Sequence, residues 1–185
     1  MSDPAASPEL LATVRVGPED ARDCVLWLHG LGASGHDFEP IVPALGLPEV
    51  RFVFPHAPSR PVTINMGFVM PAWYDILSMD HHDASRESLS DIRESQAQIE
   101  ALIADERARG AQRIVLAGFS QGAAMSLFAG LRHEGELEGI MVLSGYEVAS
   151  TLRAERKDSH RTTPFFFGHG RHDSMVPMTL SLIHI

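Results

Sequence analysis

A single cysteine, Cys24, stands in 185 residues, so no internal disulfide is available and a fold stapled for an oxidising environment is excluded. A reducing compartment fits, and Cys24, just ahead of an apolar run, reads as a small buried hydrophobe. Basic residues are also scarce: 15 Lys+Arg against 24 Asp+Glu leave a formal charge of −9. Without a basic block the electrostatic footprint of a nucleic-acid partner is missing. The first residues, MSDPAASPEL, lack a basic region followed by an apolar core, and no stretch approaches the ~18 apolar residues of a spanning helix. A cytoplasmic protein without integral membrane contact is therefore expected. Repeats and internal linkers are absent as well, which leaves one domain over residues 22–185, preceded by a flexible segment, 1–21, with one possible edge strand around Leu11 to Val16.

What is present is organised around Arg113 to Leu127, RIVLAGFSQGAAMSL. A β-branched and apolar run leads into Gly118-Phe119-Ser120-Gln121-Gly122, and helix formers follow at once. A GxSxG pattern between strand and helix is a nucleophile elbow, where the serine Oγ is exposed at the carboxyl end of the strand on a strained turn. The two glycines flank a turn where a Cβ would meet the neighbouring strand or helix, and the helix N-terminus favours negative charge developing there.

Three further runs, Cys24–Leu28, Val50–Phe54 and Leu137–Leu143, are apolar without alternation, as expected of strands covered on both faces, and Pro164–His169 reads as another strand. A short helix over Phe38 to Leu45 and a long one over Ser85 to Gly110, with Leu89, Ile92, Ile99, Leu102 and Ile103 at three- and four-residue steps, alternate with them. Such alternation predicts an α/β domain with a mostly parallel sheet and helices on both faces. The strand carboxyl ends then open on one edge, which brings three loops together: His29-Gly30-Leu31-Gly32, Ser120 and Asp173. Glycines after the Cys24 strand free backbone N–H groups to face a ligand, and Leu31 with Gln121 supplies a candidate oxyanion hole. His29 reads as a loop-orienting or substrate-contacting residue. Serine needs a base, and the base an acid to orient it; Asp173, just past a strand, suits the acid. From His56 to about Ala84 periodicity is lost, but prolines, Met66, Phe68, Met70, Trp73 and Tyr74 are concentrated there, as expected of a wall for an acyl chain. His81-His82-Asp83 reads as a polar loop tip; no metal and no cofactor is expected.

The histidine base is harder to place. Only His184 follows Asp173, too near for a crossover back to the same sheet edge, while His169 and His172 share the loop of Asp173 itself. The chain is expected to be a truncated reading of a longer frame, ending before the last strand, the last helix and the base, and to be nearly silent as a catalyst.

The segments LHGLGASGHDF, FPHAPSRPVTINMGFVMPAWYDI, GFSQGAAMSL and GHGRHDSMVP, in that order, make residues 25–178 similar to the carboxylesterase, lysophospholipase and acyl-protein thioesterase family of α/β-hydrolases. By that resemblance Ser120 is the nucleophile, Asp173 the acid, Leu31 and Gln121 the oxyanion-hole residues, and Pro71–Asp75 a border of the acyl pocket. It implies cofactor-free hydrolysis of esters or thioesters of small acyl substrates, acylated proteins or lysophospholipids, and pairing as homodimers. The competing readings are a dienelactone-hydrolase-like enzyme, which usually carries cysteine at the elbow, a peptidase of the same fold, for which no acidic amine-recognising site is evident, and a non-catalytic acyl-binding or interaction module.

Overall fold

In the computed structural model, residues 9–80, 83 and 85–182 are described; the expectations placed on the first eight residues, on His81 and His82 and on His184 lie outside them. The central sheet has six strands: β1 (Thr13–Val16), β2 (Asp23–Leu28), β3 (Val50–Pro55), β6 (Arg113–Phe119), β7 (Gly139–Leu143) and β8 (Phe165–Gly168). Their order is β1-β3-β2-β6-β7-β8. The edge strand β1 runs antiparallel to β3 and all other pairs are parallel. The chain winds from β2 outward to β3, then returns to the other side of β2 to lay down β6. Between β2 and β6 the direction of winding reverses, and a crevice at such a reversal is where open α/β sheets bind ligands.

Helices α1 (Val42–Leu45), α2 (Leu89–Ala108), α3 (Gln121–Gly130) and α4 (Met178–Leu182) complete the order. The long helix begins four residues later than its periodicity predicts. Ser88 is extended, and its hydroxyl accepts the Asp91 N–H at 3.4 Å, so the chain caps there rather than at Ser85. The two sheet faces are covered unequally. Ile92, Ile99, Leu102 and Ile103 of α2 and Ala123, Ala124, Met125, Leu127, Phe128 and Ala129 of α3 join one large core cluster, whereas the other face rests on Trp27, Phe52, Phe54 and Ala117 under α1 and Phe38. Trp27 and Phe38 stack there with ring centroids 5.0 Å apart. No helix among the described residues is long and apolar enough to cross a membrane.

The aperiodic segment after His56 forms a small antiparallel ribbon, β4 (Ser59–Val62) with β5 (Phe68–Pro71). Pro61 and Pro71 break the alternation that would have announced it, and a two-stranded ribbon tolerates them because its outer edges need no donors. The hydrophilic run 150–163 forms two 3-10 turns, Ser150–Glu155 and Asp158–Arg161.

Candidate active site

Ser120 joins β6 to α3 with φ 54° and ψ −118°, a left-handed conformation unfavourable for a residue with a Cβ, of order 1–3 kcal/mol. Close packing holds it there. A Cβ on Gly118 would overlap the Gly122 carbonyl, and one on Gly122 would overlap the carbonyl oxygens of Leu28 and His29. The Ser120 N–H donates to the Leu143 carbonyl at 2.9 Å, tying the elbow to β7.

The parallel register sets Leu28 opposite Gly118 and Leu143 opposite Phe119, so the loops that follow β2, β6 and β7 emerge side by side. After β2, His29 is 1% exposed; its Nδ1 lies 2.7 Å from the Gly30 carbonyl, and its Nε2 accepts the Ala57 N–H at 3.0 Å. These partners assign a neutral ring protonated at Nδ1, in line with a pKa pushed down mainly by burial. The Trp73 indole N–H donates to the His29 carbonyl at 2.8 Å, and the Gly32 N–H to the Pro71 carbonyl at 2.8 Å. Gln121, the first residue of α3, accepts the Trp73 N–H at 2.8 Å and donates to the Tyr74 carbonyl at 2.7 Å. Its own backbone N–H stands in the first turn, where no intrahelical acceptor exists.

Asp173 follows β8 on a tight turn. Its Oδ1 accepts the N–H groups of Val176 at 2.9 Å and Met175 at 3.0 Å, and the Ser144 hydroxyl also bonds it. These bonds, the one from Val176 foremost, together with His169 hold its carboxyl below the usual range. His169 lies 3.5 Å from Asp173 and donates through Nε2 to the Val176 carbonyl at 2.7 Å. Its ring thus serves the turn. His172 is exposed on the same turn.

A cavity of about 480 Å³ opens between these loops. Of the residues expected at the site, Gly30, Leu31, Ser120, Gln121, Tyr74 and Asp173 line it. The others are placed elsewhere. His29 and Trp73 are buried behind the wall as pins, and Gly32, Met66, Phe68 and Met70 lie away from it. Met66 and Phe68 are 87% and 62% exposed, because the ribbon turns outward at the left-handed Met66-Gly67 pair. The Met70 sulfur instead accepts from Asn65 at 3.3 Å.

Sequence reasoning missed much of the wall. Phe38 and Phe119 flank the elbow on one side; Ile64, Ile76, Met79, Met175 and Val176 supply other apolar lining, with Arg86, Ser144 and Tyr146 as polar members. Only Ser144, in a Ser-Gly pair that closes a strand and with φ 50°, left a recognisable signal in the sequence. Among the described residues no histidine lines the cavity, and no three His, Cys, Asp or Glu side chains form a metal-holding group.

A profile of the phospholipase/carboxylesterase family matches residues 11–183. An acyl-protein thioesterase 1 from Neurospora crassa is 43% identical over 164 residues, which cover 82% of this chain and 67% of the relative. Another acyl-protein thioesterase 1, from Yarrowia lipolytica, is 39% identical over 82% of this chain and 70% of its own length. Among solved structures, Arabidopsis thaliana SOBER1 superimposes with a TM-score of 0.82 at 33% identity, over 89% of this chain and 81% of that one. Acyl-protein thioesterase 2 from Zea mays does so at 0.77 and 25% identity, over 91% and 80%. Family profile, relatives and fold agree with the elbow and its cavity: the chain belongs to the phospholipase/carboxylesterase family of α/β-hydrolases and is an esterase or thioesterase by class.

Proposed function

We propose that Ser120 is the nucleophile of this hydrolase and that the reaction passes through an acyl-enzyme. The observation that carries the reading is a half-buried serine on a left-handed elbow, opening into a largely apolar cavity shared with Asp173, Leu31 and Gln121. Ser120 Oγ attacks the acyl carbon and loses its proton to a base. The Leu31 and Gln121 amides receive the developing oxyanion, assisted by the N-terminus of α3. The C–O or C–S bond then breaks, the alcohol or thiol leaves with a proton, and water releases the acid. Asp173, kept ionised by its turn, orients and supports the protonated base. The thioesterase relatives favour acyl groups carried on a protein thiol, with lysophospholipids and small acyl esters as further substrates. A cytoplasmic site of action and pairing as a homodimer complete the reading; the first fits the lone buried Cys24 and the second is checked by sedimentation.

No described histidine lines the cavity, and this one observation favours a second reading, a non-catalytic acyl-binding module. Fluorophosphonate labelling separates the two. Labelling of Ser120 that disappears in Ser120→Ala supports the hydrolase. Turnover of p-nitrophenyl acyl esters is expected to be slow in the 185-residue chain and to rise with added imidazole as a surrogate base. Ester hydrolysis undiminished in Ser120→Ala would sink the assignment of the nucleophile.

A further inference from the structure

Besides its apolar lining, the cavity wall carries a buried polar cluster that the reaction at Ser120 does not use. Tyr74, Tyr146 and Arg86 all line the cavity, and their relative exposures are 0%, 9% and 7%. The Tyr74 and Tyr146 hydroxyls are 3.0 Å apart. Tyr146 donates to Glu87 Oε1 at 3.2 Å, and Arg86 Nε lies 3.0 Å from the same oxygen. The Arg86 guanidinium also sits over the Tyr146 ring, 5.0 Å from its centroid. Burial raises the Glu87 carboxyl and the Tyr74 phenol and pushes the Tyr146 phenol up to about 12, so both phenols stay protonated at neutral pH.

Counting donors and acceptors shows what such a cluster can receive. Tyr146 spends its proton on Glu87, so the proton between the two phenols is that of Tyr74, which donates to Tyr146. The phenol oxygens are then left with lone pairs, while a guanidinium offers donors only. A methyl-ended chain pressed against these groups would desolvate them without replacing their water. A terminal carboxylate would find donors only on Arg86, whose charge Glu87 already balances, and would set its lone pairs against those of the phenols. A hydroxyl, which both donates and accepts, suits both kinds of partner.

Resting on the reading of this cavity as the acyl site, we propose that it selects acyl groups bearing a hydroxyl on the chain, received by Tyr74, Tyr146 and Arg86, over plain alkanoyl groups. Tyr146 and Arg86 are then specificity residues, and Glu87 acts through them as a positioning residue.

The product acids test this without any turnover. Binding of terminal hydroxy acids from butanoic to decanoic is measured by titration calorimetry against the matching alkanoic and dicarboxylic acids. At the best chain length the hydroxy acid is expected to bind about tenfold more tightly than the alkanoic acid, as one or two added hydrogen bonds allow. In Tyr146→Phe that ratio is expected to fall to about twofold. Equal or tighter binding of the alkanoic acid, or a dicarboxylic acid binding most tightly, overturns the proposal. So does a wild-type preference untouched in both Tyr146→Phe and Tyr74→Phe. The wild-type ratio decides on its own if either variant fails to fold. Should none of the acids bind, the proposal falls, while fluorophosphonate labelling of Ser120 would leave the hydrolase reading standing.

Discussion

Every residue of α3 behind Ser120 is buried, and the glycines on either side of the elbow press against backbone carbonyls; around Asp173, by contrast, Arg171, His172, Ser174 and Met175 are exposed. Ser120 is held by packing that allows no substitute, Asp173 by a few hydrogen bonds of a turn. Close-packed interiors transmit strain and resist it, so an unfavourable φ at Ser120 survives, whereas an exposed turn can store little. Precision at Ser120 therefore comes from the core, and precision at Asp173 from the Met175 and Val176 amides, the Ser144 hydroxyl and His169.

The contrast gives an order of sensitivity. Gly122→Ala is expected to be the most damaging change, because the added Cβ meets the Leu28 and His29 carbonyl oxygens at the buried end of β2. A loss above about 3 kcal/mol in urea unfolding is expected. Gln121→Ala keeps the backbone amide but strands the buried Trp73 N–H and Tyr74 carbonyl, for about 2–3 kcal/mol and slower labelling of Ser120. At Asp173, Ser144→Ala removes one bond to a partly exposed carboxylate and should shift stability by about 1 kcal/mol or less. A greater loss in Ser144→Ala than in Gln121→Ala would break the comparison.

The smallest effect is that of pH. The folded-state pKa of Asp173 lies below its unfolded value, so its contribution is present above the ordinary carboxylate range of about 4 and fades as pH falls through the lower folded value. Unfolding midpoints of wild type and Asp173→Asn should therefore converge between about pH 4 and about pH 2. A gap that widens toward acid would contradict the turn assignment.

Local patterns carried the elbow, the buried strands and the loop glycines, since each is a short-range demand of backbone geometry. Proline hid the β4–β5 ribbon, and exposure at its turn took Met66 and Phe68 out of the cavity. Trp73 reads equally well as wall or as pin until its indole N–H is seen bonded to the His29 carbonyl. Tyr146 and Arg86 had no local mark, because their place on the wall follows from α2, β7 and the preceding loop meeting across the sheet edge.

The sequence by itself determined the alternation of strands and helices, and with it a serine, a glycine loop and an acid at the carboxyl ends of parallel strands. Only the tertiary structure decided which apolar side chains face the cavity and which support it. Periodicity distinguishes buried from exposed positions, but it carries no distinction between a surface buried against protein and one that borders an empty space.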